Sequence, residues 1–122
     1  MRRKHLVTQN DGPKFQDDEV IPGVEDLQVQ FGIDSSSTLN GTATQYVNAD
    51  ALPANALIVA VRIWLLVRSD TPEFGFVDAN KYVYGDHTFE PSLSNDEGPT
   101  SVKHYRRLLV SKTIQIRNAL GF

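Results

Sequence analysis

From Leu57 to Arg68 the chain alternates with a period of two. The odd positions Leu57, Val59, Val61, Ile63, Leu65 and Val67 are all apolar, whereas Ile58, Ala60, Arg62, Trp64, Leu66 and Arg68 mix apolar residues with two arginines. That pattern predicts a strand with one buried face and one partly covered face, and its β-branched content agrees. A helix of this composition would be apolar all round yet carry Arg62 in its middle, which makes it the poorer description. At about 3.3 Å per residue the strand would run about 40 Å. Such a length needs neighbours throughout, so residues 57–68 are expected at the centre of an antiparallel sheet.

Two further segments share the alternation. Leu27, Val29, Phe31 and Ile33 fall on one side and Gln28, Gln30 and Gly32 on the other, which predicts a second strand, entered through a single helical turn near Val24. Between Tyr105 and Arg117, Leu108, Val110, Ile114 and Ile116 share a face interrupted by Lys112, with Arg107, Ser111, Thr113, Gln115 and Arg117 opposite. This is the third long strand. Shorter strands are expected at Arg3–Gln9, Gln45–Val47 and Lys81–Tyr84. Lys14–Glu19 reads as a solvated connection, Ser35–Ala43 as a loop and His87–Thr100, with two prolines, as a long surface loop. The expected fold is mainly β, an antiparallel meander with one apolar face and one largely polar face. No segment is an amphipathic helix that would cover the apolar face.

Composition narrows the function classes. The chain has 122 residues, 40% apolar and 22% charged, which suits one globular domain over 1–122, the first 22 residues being the least defined. A net charge of −3 gives no reason to expect nucleic acid as the main partner. With no cysteine, disulfide and thiolate chemistry are excluded. No apolar run approaches the roughly 20 residues needed to cross a membrane. The basic start Met1–His5 is followed by a stretch too short and polar for the apolar core of a signal peptide.

Candidate chemistry is sparse. His5, His87 and His104 lack the spacing of metal ligands, and Asp17, Asp18 and Glu19 read as a solvated acidic face. Asp34–Gly41 has the outline of a weakened calcium loop with Asp34 as its lone carboxylate. Lys103, His104, Arg106, Arg107, Lys112 and Arg117 make the C-terminal strand basic, and salt bridges to the acidic N-terminal half are their expected use. Arg106 and Lys112 should face away from Arg107 and Arg117, which dilutes the patch. There is no nucleophile elbow, phosphate loop or dinucleotide fingerprint. No residue is assigned a catalytic, cofactor-binding or metal-binding role.

Three blocks together resemble a known family. Gly23–Asp34 (GVEDLQVQFGID) resembles the "GVEDLQVxYGxD" block of PilW-type minor pilins. Val59–Ser69 resembles their "VxAVRIxLLxRS" strand, and Tyr105–Asn118 their closing "RRxxxxTxxLRN" block. The likeness runs from about Gly23 to the C-terminus. J-type pseudopilins of type II secretion share a looser version of the blocks. Two departures stand out: Ser35-Ser36-Ser37-Thr38 replaces an acidic, glycine-rich loop, which lowers any metal claim, and Phe31 stands where Tyr is commoner.

The resemblance implies a subunit that helps initiate or cap a type IV pilus, with other minor pilins and pilus assembly proteins as partners. It implies no enzyme activity and no cofactor. It also implies a prepilin signal and a long apolar helix, absent here, half of which anchors in the membrane while half packs on the sheet. The chain would then be the domain on the periplasmic side of the inner membrane. The rival expectation is a stand-alone ligand-binding β-domain using the His87–Thr100 loop and the basic strand. An open apolar face favours the first and a closed barrel with a concave pocket the second. DNA capture or adhesion at a pilus tip is compatible with the first, and would be salt-sensitive and depend on Arg107 and Arg117.

Overall fold

A computed structural model describes residues 2–9, 12–19 and 21–116. The strands are β1 (Arg2–Gln9), β2 (Gly12–Glu19), β3 (Val24–Asp34), β4 (Gln45–Asn48), β5 (Leu57–Arg68), β6 (Tyr82–Tyr84), β7 (His87–Phe89) and β8 (Arg107–Gln115). Four of them form one antiparallel sheet in the order β4-β3-β5-β8. The alternating segment 57–68 is β5, and it has the two other long strands as its neighbours. Three 3-10 turns are the only helical elements among the described residues. The fold is mainly β.

Several local expectations differ from what is observed. Lys14–Glu19 is not a connection but belongs to β2, which pairs with β1 so that Arg3 faces Asp18, Lys4 faces Asp17 and Leu6 faces Phe15. Opposite charges and apolar groups meet across the ladder, and such cross-strand pairs stabilise a hairpin of which only the first strand, expected at Arg3–Gln9, is announced by its own pattern. The acidic cluster is accordingly not merely solvated: Asp17 accepts from Arg2 at 3.1 Å. The expected loop 87–100 opens with β7, whose Phe89 pairs with Tyr82 of β6, and continues into a 3-10 turn at Pro91–Leu93. β6 falls within the strand expected at Lys81–Tyr84, whereas β7, with three residues, is too short to leave a readable period.

No helical turn precedes β3. Instead Gly23, with φ of +74°, turns the chain so that its carbonyl accepts from Arg68 N at 2.8 Å. A Cβ there would meet the Arg68 carbonyl oxygen at 2.8 Å, so the approach needs glycine. Immediately afterwards the register against β5 shifts between Val24 and Asp26. A bulge of this kind bends the strand and re-aims side chains. Glu25 and Asp26, adjacent in sequence, both reach groups on the same side of the sheet: Glu25 meets Arg107 and Asp26 meets Tyr84. A second shift between Gly32 and Ile33 sets Ile58 opposite Ile33, so unbroken alternation in β5 holds only from Ala60 to Val67.

The chain's own core lies on the side of Trp64 and Leu66, the less apolar of the two β5 faces. Leu66, Tyr82 and Tyr84 are buried there, with Trp64, Phe89 and Leu109 packed around them. The β6–β7 hairpin is the cover. Gly32 on this side lets Tyr46 close on the sheet, since a Cβ would stand 2.9 Å from its ring. The Arg62 guanidinium then lies 3.7 Å over the Tyr46 ring, a cation–π stack that accommodates a cation within the sheet.

Arg107 pins this side together. Its side chain has no exposed surface, donates to Glu25 through Nε (2.5 Å) and Nη2 (3.0 Å), and donates to Asp78 at 3.2 Å. Asp78, equally enclosed, also accepts from Tyr82 Oη at 3.0 Å and Asn80 Nδ2 at 2.8 Å. The Phe89 ring lies 5.1 Å from the guanidinium. One cation therefore joins β3, β8 and the segment ahead of β6. Removing one member of an enclosed charge network leaves the others desolvated and uncompensated, a cost of about 3–5 kcal/mol. Arg107→Met is expected to lower unfolding free energy by about 3 kcal/mol, read as a lower urea midpoint with an unchanged slope; a change below about 1 kcal/mol would mean that the network carries no such weight.

Candidate functional site

The opposite face of the sheet is the candidate site. Register places Leu27, Val29 and Phe31 of β3 beside Leu65, Ile63 and Val61 of β5, and these beside Val110, Lys112 and Ile114 of β8. Val67 adds a further row with Val24 and Leu108, and Val47 extends the Phe31 row onto β4. Apart from Lys112, every residue in these rows is apolar. In a closed core such positions would be inaccessible, yet Leu108 is 65% exposed, Ile114 48%, Val110 43% and Leu27 41%. Even on the central strand, Val61, Ile63, Leu65 and Val67 are only half-buried. No described element lies across them. The expected apolar face exists and is open, and the chain's own core is on its reverse.

Contiguous apolar area of this kind on a folded chain marks a contact surface. β8 adds a second feature, because it is the outer strand of the sheet and its far side lacks a strand partner among the described residues. Such an edge can accept another strand.

The other sequence candidates find structural employment. Asp34 is buried and accepts from Ser36 N at 2.9 Å, from the Ser36 hydroxyl and from Gly41 N at 2.8 Å. Its carboxylate clamps the 35–41 loop from within instead of facing a cation, and the Ser36 hydrogen bonds hold it below the usual carboxylate range. Among the described residues no cluster of three metal-binding side chains exists. His5 stands 3.3 Å from Asp18, His87 3.9 Å from Asp26, and His104 Nδ1 2.6 Å from the Phe76 carbonyl. Nothing brings the three histidines together.

The basic strand is dispersed as expected, with Lys112 opposite Ile63 on the open face and Arg107 opposite Arg68 on the covered one. Its salt bridges are only partly to the N-terminal half: Arg107 takes Glu25, but Arg106 takes Glu73 at 2.5 Å and Lys103 takes Glu97 at 2.8 Å. The enclosed, fully engaged Arg107 has no surface to offer DNA, and Arg117 lies outside the described residues. Hollows near the 87–100 loop are open to solvent, one of about 510 Å³ beside Phe89 and Leu93 and one of about 230 Å³ between Tyr84, His87 and Leu66. Neither is a closed cavity. The feature that sequence reasoning missed is the Glu25–Arg107–Asp78 assembly, because the bulge that turns Glu25 to this side leaves no mark in the alternation.

Three carboxylates set the acid limit of the fold. Burial pushes Asp26 up, but hydrogen bonds from Gln28, Tyr84 and Leu27 outweigh it and leave the group below its ordinary value. Glu73 is lowered by the Arg106 hydrogen bonds, and Asp34 by Ser36. Burial and the neighbouring Asp26 carboxylate drive the Tyr84 hydroxyl upward, so it stays a donor. A carboxylate depressed in the folded state contributes stability above its unfolded pKa of about 4 and loses it as pH falls through the folded value. Urea midpoints should therefore fall below about pH 4, and Asp34→Asn should make that fall shallower. Identical acid profiles for the two proteins would show that Asp34 does not contribute.

A family model described as Type IV Pilus-assembly protein W matches residues 1–118. Comparison with curated proteins and with solved structures found no match. No helix among the described residues is long and apolar enough to cross a membrane.

Proposed function

Because this chain belongs to the type IV pilus-assembly protein W family, we propose that it is the β-rich head of a minor pilin that helps initiate or cap the pilus. The observation that carries this reading is the open apolar face of β3, β5 and β8. A sheet that builds its core on one side and leaves its more apolar side uncovered is half of a packing unit, and an apolar helix is the element that completes a two-layer arrangement. Such a helix, continuing into the inner membrane, would hold this head on the periplasmic side. The β8 edge and the loops around Leu93 and Phe74, which are 72% and 97% exposed, would meet other minor pilins and assembly proteins.

The role is one of assembly and requires no catalytic residue, metal or cofactor. The ligand-binding alternative has solvent-open hollows to draw on, whereas the pilin reading has a continuous apolar surface across three strands.

Leu65→Glu places a charge on the open face between Leu27 and Val110. At a half-buried position on the central strand it should destabilise this chain by about 1–2 kcal/mol. In cells that make the pilus, the same substitution should reduce surface piliation, counted by electron microscopy, to the level of a deletion strain. Normal piliation from a stably expressed Leu65→Glu protein would sink the assignment of this face.

A further inference from the structure

The open face is apolar with one interruption. Lys112 stands opposite Ile63, in the second of the four rows from Val61 to Val67, with Val110 and Ile114 on either side along β8. It forms no ion pair with a described carboxylate. The nearest acids in sequence to this surface, Glu25 and Asp26, are turned to the other side by the β3 bulge. Any cover laid over the face must either match this cation or force it out to water, because burying an unmatched ammonium is costly.

We infer that the segment covering this face carries a carboxylate that pairs with Lys112, an inference that rests on the docking role proposed for the face. The occupant is thereby constrained in charge as well as in apolarity. A second copy docked face to face does not meet the constraint, since the described face residues offer it no acid. A lipid surface is also a poor match, because headgroups are held by several cations around an apolar patch and this face has one, within its rows on the outer strand. The dimensions fit a helix. The rows from Val61 to Val67 span about 20 Å and the three long strands about 10 Å in width, which accommodates about 13 residues of an α-helix about 10 Å across. The carboxylate falls in an interior turn of that helix, toward the Val61 end of the rows, and it fixes how far the helix slides along the strands, which apolar contacts alone leave loosely defined.

The test uses helical peptides of about 18 residues, long enough to hold some helix in water. Each has a leucine and alanine face with Glu, Gln or Lys at its centre, and each is titrated against the whole chain and against Lys112→Glu and Lys112→Met. The Glu peptide should bind the unaltered chain at least about tenfold more tightly than the Lys peptide, since like charges brought together in an interface are strongly disfavoured. Lys112→Glu should invert the order, and Lys112→Met should abolish the preference while keeping the apolar affinity. Circular dichroism of both variants checks that the exposed position tolerates the change. Equal binding of all three peptides to the unaltered chain would overturn the inference, with Lys112 extending past the β8 edge to water, and would leave the docking role standing. Binding by none of them would overturn both.

Discussion

A sheet has two faces, and a chain that folds alone must cover whichever of them is apolar. In this protein the long strands are apolar on one side and mixed on the other, and the chain covers the mixed side. That choice depends on the guanidinium of Arg107. Placed between Glu25 and Asp78 and under Phe89, it lets charged residues from β3, β8 and the segment before β6 be enclosed together. The tyrosine-rich hairpin then completes a small core over Leu66. Without such a cation, the enclosed charge of Asp78 would keep only neutral donors from Tyr82 and Asn80, and Glu25 only the more distant Arg68. The apolar side needs no such device, which leaves it free for a partner.

Glycine and the bulge supply the geometry that this chemistry requires. Gly23 turns the chain onto the Arg68 backbone, and the register shift that follows presents Glu25 and Asp26 to the same side. One acid reaches the buried arginine and the other fixes Tyr84 of the covering hairpin. A single irregularity in β3 thus serves both the ionic and the aromatic halves of the core.

The long elements were legible because their period is long enough to be read. β5 spans 57–68 as its alternation implied, β3 and β8 follow from Leu27–Ile33 and Leu108–Ile116, and the blocks in these strands also revealed the family. The uncovered apolar face followed from the absence of an amphipathic helix in the sequence. What escaped reading were features decided by pairing: β2 and its hairpin with β1, held by Arg3 facing Asp18 and Lys4 facing Asp17; the three-residue strand β7; and the shared face of Glu25 and Asp26. A period-two rule assigns adjacent residues to opposite faces, so a bulge defeats it by construction. Asp34 was assigned no metal, and its actual partners are local. Its loop has the composition of a cation site, but the loop's own backbone N–H groups take the oxygens.

The bond between Glu25 and Arg107 joins residues 82 positions apart. A ribosome that has released β3, β4 and β5 has made an incomplete sheet whose outer strand and central cation are still unsynthesised, and the hairpin has nothing ionic to close upon. Contacts so distant in sequence form slowly, because the intervening chain must be ordered before they are gained. For that interval both faces of β5 are bare, a hazard for any nascent chain rich in alternating strands. Docking of β8 thus closes the sheet and the ionic network together, and an early arrival of the cover for the apolar face would shorten the exposure of β5.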